Sequence, residues 1–274
     1  MFTLDCKGKI FEFGSAIVMG IINATPDSFY DKSRKSTNDE ALFVAEKMVQ
    51  DGATILDVGG QSTRPGSEMI SIDEELKRVI PLIEGIHQKF PEVIISVDTF
   101  QSRVAKIAVE AGARMVNDIS GGSLDETMFS TVAQLNVPYV CMHLKGTPQN
   151  MQTQTQYDNV VSEVKNYFIN KIAHCEEAGI KNIILDIGFG FAKTTEQNFN
   201  LVKNLKEFTM LQKPLLLGVS RKSSIYKTLG ITADEALNGS SVLNTIGILY
   251  GASILRVHDV KEAVEVIKLG NYFI

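Results

Sequence analysis

The sequence predicts an α/β fold, a single eight-stranded parallel (β/α)8 barrel of the TIM-barrel class that spans residues 1–274. Eight short apolar runs rich in β-branched residues alternate with longer amphipathic segments. This is the pattern of strands that are buried on both faces and covered by helices. Polar residues follow nearly every run. In a barrel all those strand ends meet on one face, whereas the alternative, a doubly wound open sheet, gathers only a few at its switch point.

The predicted elements follow one another in a regular order. The strands are Ala16–Ile22, Thr54–Val58, Val93–Val97, Met115–Asp118, Pro138–Met142, Ile183–Ile187, Leu215–Val219 and Ser253–Val257. The helices are roughly Asn38–Asp51, Ile72–Phe90, Gln101–Ala111, Asp125–Leu135, Asp158–Ala178, Glu196–Lys206, Ala233–Tyr250 and Val260–Leu269. In the first helix apolar residues recur at helical spacing, and Gly52 follows it where a left-handed C-cap is favoured.

A β-hairpin is predicted ahead of the first barrel strand. Phe2 and Leu4 precede a Lys7-Gly8 turn, and Phe11 and Phe13 follow it, so apolar residues alternate on both sides of the turn. We expect the hairpin to cover the N-terminal end of the barrel. We expect neither a linker nor a second domain.

Composition and charge argue against several classes of protein. The chain has 27 basic and 32 acidic residues, a net charge of −5 and no basic tract, so nucleic acid is not an expected partner. A membrane span needs ~18 consecutive apolar residues, which no run approaches, and the first residues lack the order of a signal peptide. The three cysteines are odd in number and far apart, which argues against a disulfide framework and fits a reducing cytoplasm.

One group of strand-end residues combines carboxylates, an amide and a lysine. Asp98 follows one of the strands, Asn117 and Asp186 lie near the ends of two others, and Lys222 follows a fourth. A carboxylate accepts two parallel donors from a planar N–C–NH2 edge, an amide both donates and accepts, and a lysine can donate to a ring carbonyl. A guanine-like heterocycle presents these groups. Helix capping is the structural alternative for Asp98, and His143 stays open between a packing and a functional role.

A second group of residues suits the binding of an anion. It comprises Thr63 and Arg64 after the second strand, the Ser220–Ser223 turn that opens a helix, and Arg256 and His258 at the last strand. Arginine forms bidentate bonds with phosphate, a helix N-terminus adds free N–H groups, and barrels often bind phosphate near strands seven and eight. Arg256 and His258 are two residues apart and therefore point to the same side of the strand.

Taken together, the strand ends resemble those of the dihydropteroate synthase family from about Ala16 to Leu269. The matching segments are Met19–Phe29, Asp57–Ser67, Ser96–Thr99, Asn117–Gly122, Met142–Pro148, Asp186–Phe191, Ser220–Ser223 and Arg256–Asp259. Two residues depart from the family's pattern. Ala24 stands where valine is usual, and Gln61, which keeps the length but not the charge, stands where glutamate is usual.

The resemblance implies a condensation of 6-hydroxymethyl-7,8-dihydropterin pyrophosphate with p-aminobenzoate. The products are 7,8-dihydropteroate and pyrophosphate, in folate biosynthesis. It also implies Mg²⁺ as cofactor, a homodimer and inhibition by sulfonamides. Loss of pyrophosphate from a methylene on an electron-rich ring leaves a stabilised cation, so we expect an SN1-like displacement that needs leaving-group stabilisation and no strong base.

The resemblance also assigns subsites to residues of this chain. The implied pterin subsite comprises Asp98, Asn117, Met142, Asp186, Phe191 or Phe189, Lys222 and Arg256. The implied pyrophosphate subsite comprises Asn23, Thr63, Arg64, Arg256 and His258, with Asn23 also a ligand of Mg²⁺. The implied aminobenzoate subsite comprises Phe29, Thr63, Pro65 and Ser223. The residues expected to act in catalysis are Asp98, Lys222, Arg256 and His258. The segments Ala24–Thr37 and Gly59–Ser71 are expected to be mobile loops that complete the aminobenzoate subsite.

Two other functions are compatible with a pterin-binding barrel. A methyltransferase that uses methyltetrahydrofolate would share the carboxylate and amide residues, but it would have no use for Thr63–Gly66 or Ser220–Ser223. A non-catalytic pterin-binding paralogue would be expected to lose residues of the loops and of the phosphate site, and those residues are present here. Turnover that depends on aminobenzoate distinguishes the enzyme from such a paralogue.

Overall fold

The computed structural model describes residues 1–24, 34–62 and 66–274, with the backbone alone for 34–38. Its strands are β1 (Phe2–Cys6), β2 (Lys9–Phe13), β3 (Ile17–Asn23), β4 (Ile55–Gly59), β5 (Ile94–Asp98), β6 (Met115–Asp118), β7 (Tyr139–Met142), β8 (Ile183–Asp186), β9 (Leu215–Leu217) and β10 (Ile254–Val257). β1 and β2 pair antiparallel, and the other eight strands form a closed parallel barrel in which β10 pairs with β3. The predicted barrel is confirmed, and the open sheet is excluded.

Nine α-helices occur in the described part of the chain. They are α1 (Arg34–Gln50), α2 (Ile72–Lys89), α3 (Ser102–Glu110), α4 (Met128–Leu135), α5 (Val160–Glu177), α6 (Thr195–Lys203), α7 (Ser223–Leu229), α8 (Leu237–Leu249) and α9 (Val260–Gly270). Each predicted helix is present within a few residues of its expected ends.

Two helix predictions need correction. The end of the predicted loop 24–37 is helical, and α1 begins at Arg34. Residues 34–37 are polar, so the apolar periodicity could not indicate that they belong to the helix. The helix that opens at the Ser220–Ser223 turn is α7, a ninth helix in addition to the eight predicted. It ends at Gly230, whose φ of 68° is the left-handed conformation that glycine adopts without steric cost.

The hairpin closes the N-terminal end of the barrel, as predicted. Leu4 and Cys6 are buried against the first inward-pointing side chains of the barrel strands. These side chains are Ile17, Met19, Ile55, Ile94, Met115, Val140, Ile184, Leu216 and Ile254. The Lys7 N–H donates to the Asn136 carbonyl at 3.2 Å and ties the hairpin turn to the barrel. The hairpin therefore keeps water out of this end of the barrel.

Side chains of each barrel strand alternate between the helix layer and the barrel interior. In β4, Leu56 and Val58 point outward into the main hydrophobic core, whereas Ile55 points inward. Asp57 also points inward, where it meets Arg256 of β10. The period of two in an extended strand produces this alternation. The interior is thus apolar at its N-terminal end and polar at its carboxyl-terminal end, which is called the mouth below.

The cysteines are buried and free, in agreement with the expectation of no disulfide framework. Burial raises the pKa of Cys6 and of Cys175 to about 12 and raises the pKa of Cys141 well above its usual range. Because the thiolate is the reactive form, these thiols are inert at neutral pH. In the described part of the chain, no helix combines the length and the apolar character that a membrane crossing requires.

A substitution on the buried face of the hairpin should show how much this closure contributes to stability. Leu4→Ala leaves a cavity at the bottom of the barrel and should lower the free energy of unfolding by about 2–5 kcal/mol. Ile10→Ala lies in the same hairpin but at a side chain 64% exposed, so its effect should stay under about 0.5 kcal/mol. Urea unfolding followed by circular dichroism compares the two variants. Equal stabilities would contradict the sealing role of the hairpin.

Candidate active site

A layer of polar side chains lines the inside of the barrel mouth. The layer consists of Asp57, Asp98, Asn117, Asp186 and Arg256. Each of these residues lies at an inward-pointing position of its strand, two or four residues after an apolar one at the bottom of the barrel. Three of them lie on the adjacent strands β4, β5 and β6, where Asp98 is opposite Asn117 in the register, and closure of the barrel brings β8 and β10 to the same mouth. Strand periodicity therefore brings them together at one end of the barrel.

Arg256 occupies the centre of this layer. Its Nε donates to Asp57 Oδ2 and its Nη2 donates to Asp98 Oδ2, each at 2.6 Å. Asn117 Nδ2 donates to the same Asp57 oxygen at 2.9 Å. Burial disfavours the charged guanidinium, but the two carboxylates outweigh this effect and raise the pKa of Arg256 above its usual value. The mouth therefore contains a permanent cation held by carboxylates from two neighbouring strands.

Asp57 is the site residue that sequence reasoning missed. The residue is fully buried, and its Oδ1 lacks a hydrogen-bond partner among the described residues. Asp57 begins one of the family-like segments, but the sequence alone did not assign it a role. The available signal was its position two residues after Ile55 on the inward face.

Asp98 does not cap a helix. The N-cap of α3 is Gln101, which makes no capping bond through its side chain, and the Asp98 carboxylate binds Arg256 instead. Burial raises the pKa of Asp98 to about 7; Arg256 opposes this shift, and the nearby Asp57 adds to it. The carboxyl group can therefore change its protonation state near neutral pH.

Asp186 and Lys222 lie close to each other at the mouth. A Cβ placed on Gly218 would lie 3.9 Å from both Asp186 Oδ2 and Lys222 Nζ. Asp186 Oδ1 accepts the Gly188 N–H at 2.8 Å. Burial raises the pKa of Asp186, and Lys222 opposes the shift. Burial lowers the pKa of Lys222 to about 8, with Asp186 opposing.

One side of the mouth has an apolar wall. Phe191 and Met142 belong to a small hydrophobic cluster that is separate from the main core. Lys222 Nζ lies 4.5 Å from the centre of the Phe191 ring. Phe189 is fully buried in the helix layer, where its ring packs against Phe199. Phe191 is therefore the wall residue of the two, and Phe189 contributes its backbone carbonyl, which accepts a hydrogen bond from Lys222.

Three more of the predicted residues lie at the mouth. Asn23 ends β3 opposite Gly59 and is exposed. His258 follows β10, and its Nδ1 lies 3.0 Å from Ser220 Oγ. Burial and the charge of Arg256 lower the pKa of His258 below its usual range, so its ring is neutral at pH 7. Ser223 is the first residue of α7 and lines a polar cleft of about 240 Å³.

The other predicted site residues lie outside the described part of the chain. They are Phe29, Thr63, Arg64 and Pro65. The neighbouring Gln61 is described: its Nε2 donates to the carbonyls of Ser62 and Glu68 at 2.8 and 2.9 Å, and its Oε1 accepts the Ile70 N–H at 2.8 Å. Gln61 thus joins the two ends of segment 62–70. An ionised glutamate could accept the Ile70 bond but could not donate the other two.

His143 has a clear role in packing. The residue is 5% exposed, and its ring packs edge-on against Tyr167 with the ring centres 4.8 Å apart. Its Nδ1 lies 2.9 Å from Nζ of Lys193, a buried residue that the sequence pattern did not single out. His143 therefore contacts a second buried lysine near the mouth.

Comparison with known proteins identifies the class of this site. The family model described as "Pterin binding enzyme" matches residues 19–258. The dihydropteroate synthase of Escherichia coli K12 is 44% identical over 269 residues, which are 97% of this chain and 94% of that protein. The Yersinia pestis enzyme in a sulfonamide complex superposes with a TM-score of 0.93 at 38% identity, covering 99% of both chains.

A third comparison involves a relative with its product bound. Dihydropteroate synthase from Xanthomonas albilineans in complex with 7,8-dihydropteroate has a TM-score of 0.89 and 35% identity, and the match covers 99% of this chain and 98% of that one. The barrel with its polar mouth is therefore that of a pterin-binding enzyme. More narrowly, the chain belongs to the dihydropteroate synthase family, whose members are transferases of folate synthesis.

Removal of the Asp57 carboxylate should destabilise the protein strongly. Asp57→Ala leaves the Asn117 amide without its acceptor and removes one of the two carboxylates that compensate the Arg256 charge, and should lower the free energy of unfolding by about 3–5 kcal/mol. Asp73→Ala serves as control, because that side chain is 72% exposed and its ion pair with Arg103 is 3.7 Å long. The control should lose less than about 1 kcal/mol. Urea unfolding at pH 7.5 measures both; similar losses would refute the pairing role.

Proposed function

We propose that this protein condenses 6-hydroxymethyl-7,8-dihydropterin pyrophosphate with p-aminobenzoate to give 7,8-dihydropteroate and pyrophosphate. The observation that carries the proposal is the joint placement of two carboxylates, an amide and a lysine around a buried arginine at one barrel mouth. Membership of the dihydropteroate synthase family supports the same reaction.

The pterin is proposed to bind within this polar layer. Its N–C–NH2 edge donates to the carboxylates of Asp98 and Asp186, and Asn117 offers it both a donor and an acceptor. The Lys222 ammonium donates to the ring carbonyl, and the rings of the pterin and of Phe191 lie side by side. The apolar wall that contains Met142 supports this arrangement, because a flat heterocycle needs an apolar surface next to polar edges.

The bond to the leaving group is proposed to break before the new bond forms. Pyrophosphate departs from the methylene carbon with the bonding electron pair, and the dihydropterin ring delocalises the positive charge. Arg256 has five N–H donors, of which its two described bonds to the aspartates use two, and its side chain is 19% exposed. Donors remain for the leaving phosphate, and the neutral His258 ring can donate one more hydrogen bond. The carboxylates of Asp98 and Asp186 favour the cation electrostatically.

The second substrate is proposed to attack from the side of α7. The aniline nitrogen forms the new bond to carbon and then loses its proton, so no strong base is required. The Ser223 hydroxyl and the N–H groups at the start of α7 are suited to the carboxylate of p-aminobenzoate. Phe29, Thr63 and Pro65 are proposed to complete this subsite. Sulfonamides, one of which is bound in the Yersinia pestis relative, are expected to compete for it.

Magnesium is proposed as the cofactor, with Asn23 as a protein ligand. Mg²⁺ prefers oxygen ligands and commonly takes one or two from the protein and the rest from substrate phosphates and water. The exposed amide of Asn23 at the mouth fits this requirement. No group of three or more metal-binding side chains occurs among the residues that the structure describes. When bound, the metal neutralises charge on the leaving pyrophosphate.

A non-catalytic pterin-binding paralogue is the alternative function. Such a protein needs the pterin residues but not those that serve the leaving group. Asn23, Arg256 and His258 are all retained at the mouth. Retention of these residues favours the enzyme.

A homodimer is the proposed assembly. Several large apolar side chains are exposed on α8 and at the end of the chain. They are Val242, Leu249, Tyr250, Leu269, Tyr272, Phe273 and Ile274, with exposures between 38% and 87%. A cluster of this kind on one part of a surface is typical of a protein interface. We also propose the cytoplasm as the compartment, since all three cysteines are free and reducing conditions keep thiols in that form.

The first test of the function is product formation. With dihydropterin pyrophosphate, p-aminobenzoate and Mg²⁺, we expect pyrophosphate and 7,8-dihydropteroate in equal amounts, measured by a phosphate-coupled assay and chromatography. Without p-aminobenzoate no dihydropteroate should form, and excess chelator should abolish turnover because the leaving-group charge is no longer neutralised. Pterin binding without any product would support the non-catalytic paralogue, and full activity in chelator would refute the role of Mg²⁺.

Pterin affinity should fall at alkaline pH because Lys222 loses its proton. The pKa of Lys222 is about 8, so the ammonium donor is present below that pH and is lost as the pH rises through it. The dissociation constant of a pterin, measured by calorimetric titration, should therefore rise above pH 8. Lys222→Arg keeps a charged donor at every pH and should remove this step. A step at pH 8 that persists in Lys222→Arg would show that another group causes it.

A further inference from the structure

Lys193 is a buried cation that the proposed reaction does not use. The residue is 5% exposed and follows β8 by a few positions. Its Nζ donates to the carbonyl of Phe191 at 2.9 Å and to the carbonyl of Gly188 at 3.0 Å, and lies 2.9 Å from His143 Nδ1. These three close contacts are all to neutral acceptors. Such a site holds an ammonium group by hydrogen bonds and not by an ion pair.

The contacts of Lys193 suit an ammonium group. Its three N–H donors can serve the two carbonyls and His143 Nδ1 when the histidine proton is on Nε2, whereas a neutral amine has two donors. Burial and the charge of Lys193 lower the pKa of His143 well below its usual range, so the histidine is neutral. With Lys193 protonated, the pair consists of a cationic lysine and a neutral histidine.

The two carbonyls that Lys193 binds are the first and last of a four-residue turn, Gly188–Phe191. Within the turn the Phe191 N–H donates to the Gly188 carbonyl at 3.0 Å. Gly188 has a φ of 65°, and a Cβ there would lie 2.1 Å from the His143 carbonyl oxygen, so the turn packs directly on β7's carboxyl end. Lys193 therefore joins the two ends of this turn.

The same turn also forms part of the mouth. The Phe189 carbonyl accepts a hydrogen bond from Lys222, and the Phe191 ring lies 4.5 Å from Lys222 Nζ. The Gly188 N–H donates to Asp186. The turn thus lies between two buried lysines, one that closes it and one at the pterin subsite.

We propose that Lys193 is a positioning residue of the pterin subsite: by holding the Gly188 and Phe191 carbonyls it places the Phe191 ring and the Phe189 carbonyl against Lys222. This inference rests on the proposed function, because it assigns the mouth around Lys222 to a pterin. Loss of the ammonium group leaves the Phe191 carbonyl and the His143 ring nitrogen without this donor and removes one of the two donors to the Gly188 carbonyl, so the turn reorients and the subsite loses its shape.

The charged and titratable groups around Lys193 influence its pKa and therefore the pH at which it loses its proton. They are His143, which stays neutral, Asp186, which raises the pKa of Lys193, and Lys222, which lowers it. Burial is the largest effect, and it lowers the pKa of Lys193 to about 7. The ammonium group is therefore present below pH 7 and is lost as the pH rises through that value.

The test compares Lys193→Met, which keeps the length and removes the donors, with Lys193→Arg, which keeps charge and donors. Lys206→Met, at an exposed lysine, is the matched control. Calorimetric titration with 6-hydroxymethylpterin should show at least about tenfold weaker binding in Lys193→Met, partial recovery in Lys193→Arg and no change in the control. The KM for p-aminobenzoate should rise less than the dissociation constant of the pterin, because the Phe191 ring and the Phe189 carbonyl contact Lys222 of the proposed pterin subsite. A folded Lys193→Met variant with wild-type pterin affinity, or with equal losses for both substrates, would overturn the proposal.

A second measurement applies even if Lys193→Met does not fold. Asp98 also changes its protonation state near pH 7, so Lys222→Arg is compared with the double variant Lys222→Arg/Lys193→Arg, in which Asp98 is retained. As the pH rises through about 7, the pterin affinity of Lys222→Arg should fall relative to that of the double variant. Parallel profiles of the two variants between pH 6 and 8 would contradict the proposal. If the unaltered protein binds no pterin at all, the proposed function itself fails, which separates that outcome from failure of the role of Lys193.

Discussion

The mouth of the barrel depends on one interaction, the pairing of the Arg256 guanidinium with the carboxylates of Asp57 and Asp98. A buried positive charge is tolerated only when carboxylates compensate it, and Asp57 and Asp98 do so from two adjacent strands on the far side of β3. The same carboxylates are thereby kept in a polar layer where they can also meet a ligand. The same charged residues thus serve the stability of the mouth and the proposed reaction. A substitution of Asp57 or of Asp98 should therefore affect both stability and activity.

The residues that stabilise the barrel and those proposed to act in the reaction lie at opposite ends of the strands. The N-terminal end is sealed by Leu4 and Cys6 of the hairpin, and its interior is entirely apolar. At the mouth the inward positions carry charges whose pKa values are displaced towards neutrality, as for Asp98 at about 7 and Lys222 at about 8. Burial causes both shifts, because a dry site disfavours the charged form of an acid and of a base alike. A site of this kind suits a reaction in which charge develops on both the ring and the leaving group.

Much of the fold and part of the candidate site could be predicted from sequence. The alternation of apolar runs with amphipathic segments predicted the barrel and its strands to within one or two residues, because burial on both faces leaves a clear pattern. Position at or near the end of a strand found Asp98, Asn117 and Asp186. It gave no role to Asp57, whose contact with Arg256 depends on closure of the barrel, or to Lys193, which lies in a loop with no periodicity. The short helix α7 was not separated from its neighbour, since a seven-residue helix carries too few apolar positions to show a period.

The sequence by itself determined the order of the elements and the family. These follow from local periodicity and from segments that are each continuous in the chain. Only the tertiary structure decided which side chains meet: Arg256 binds Asp57 from 199 residues away, and Lys193 binds His143 from 50 residues away. The physical reason is that closure of the barrel brings distant strands to one mouth, and a hydrogen bond depends on that geometry and not on residue type alone.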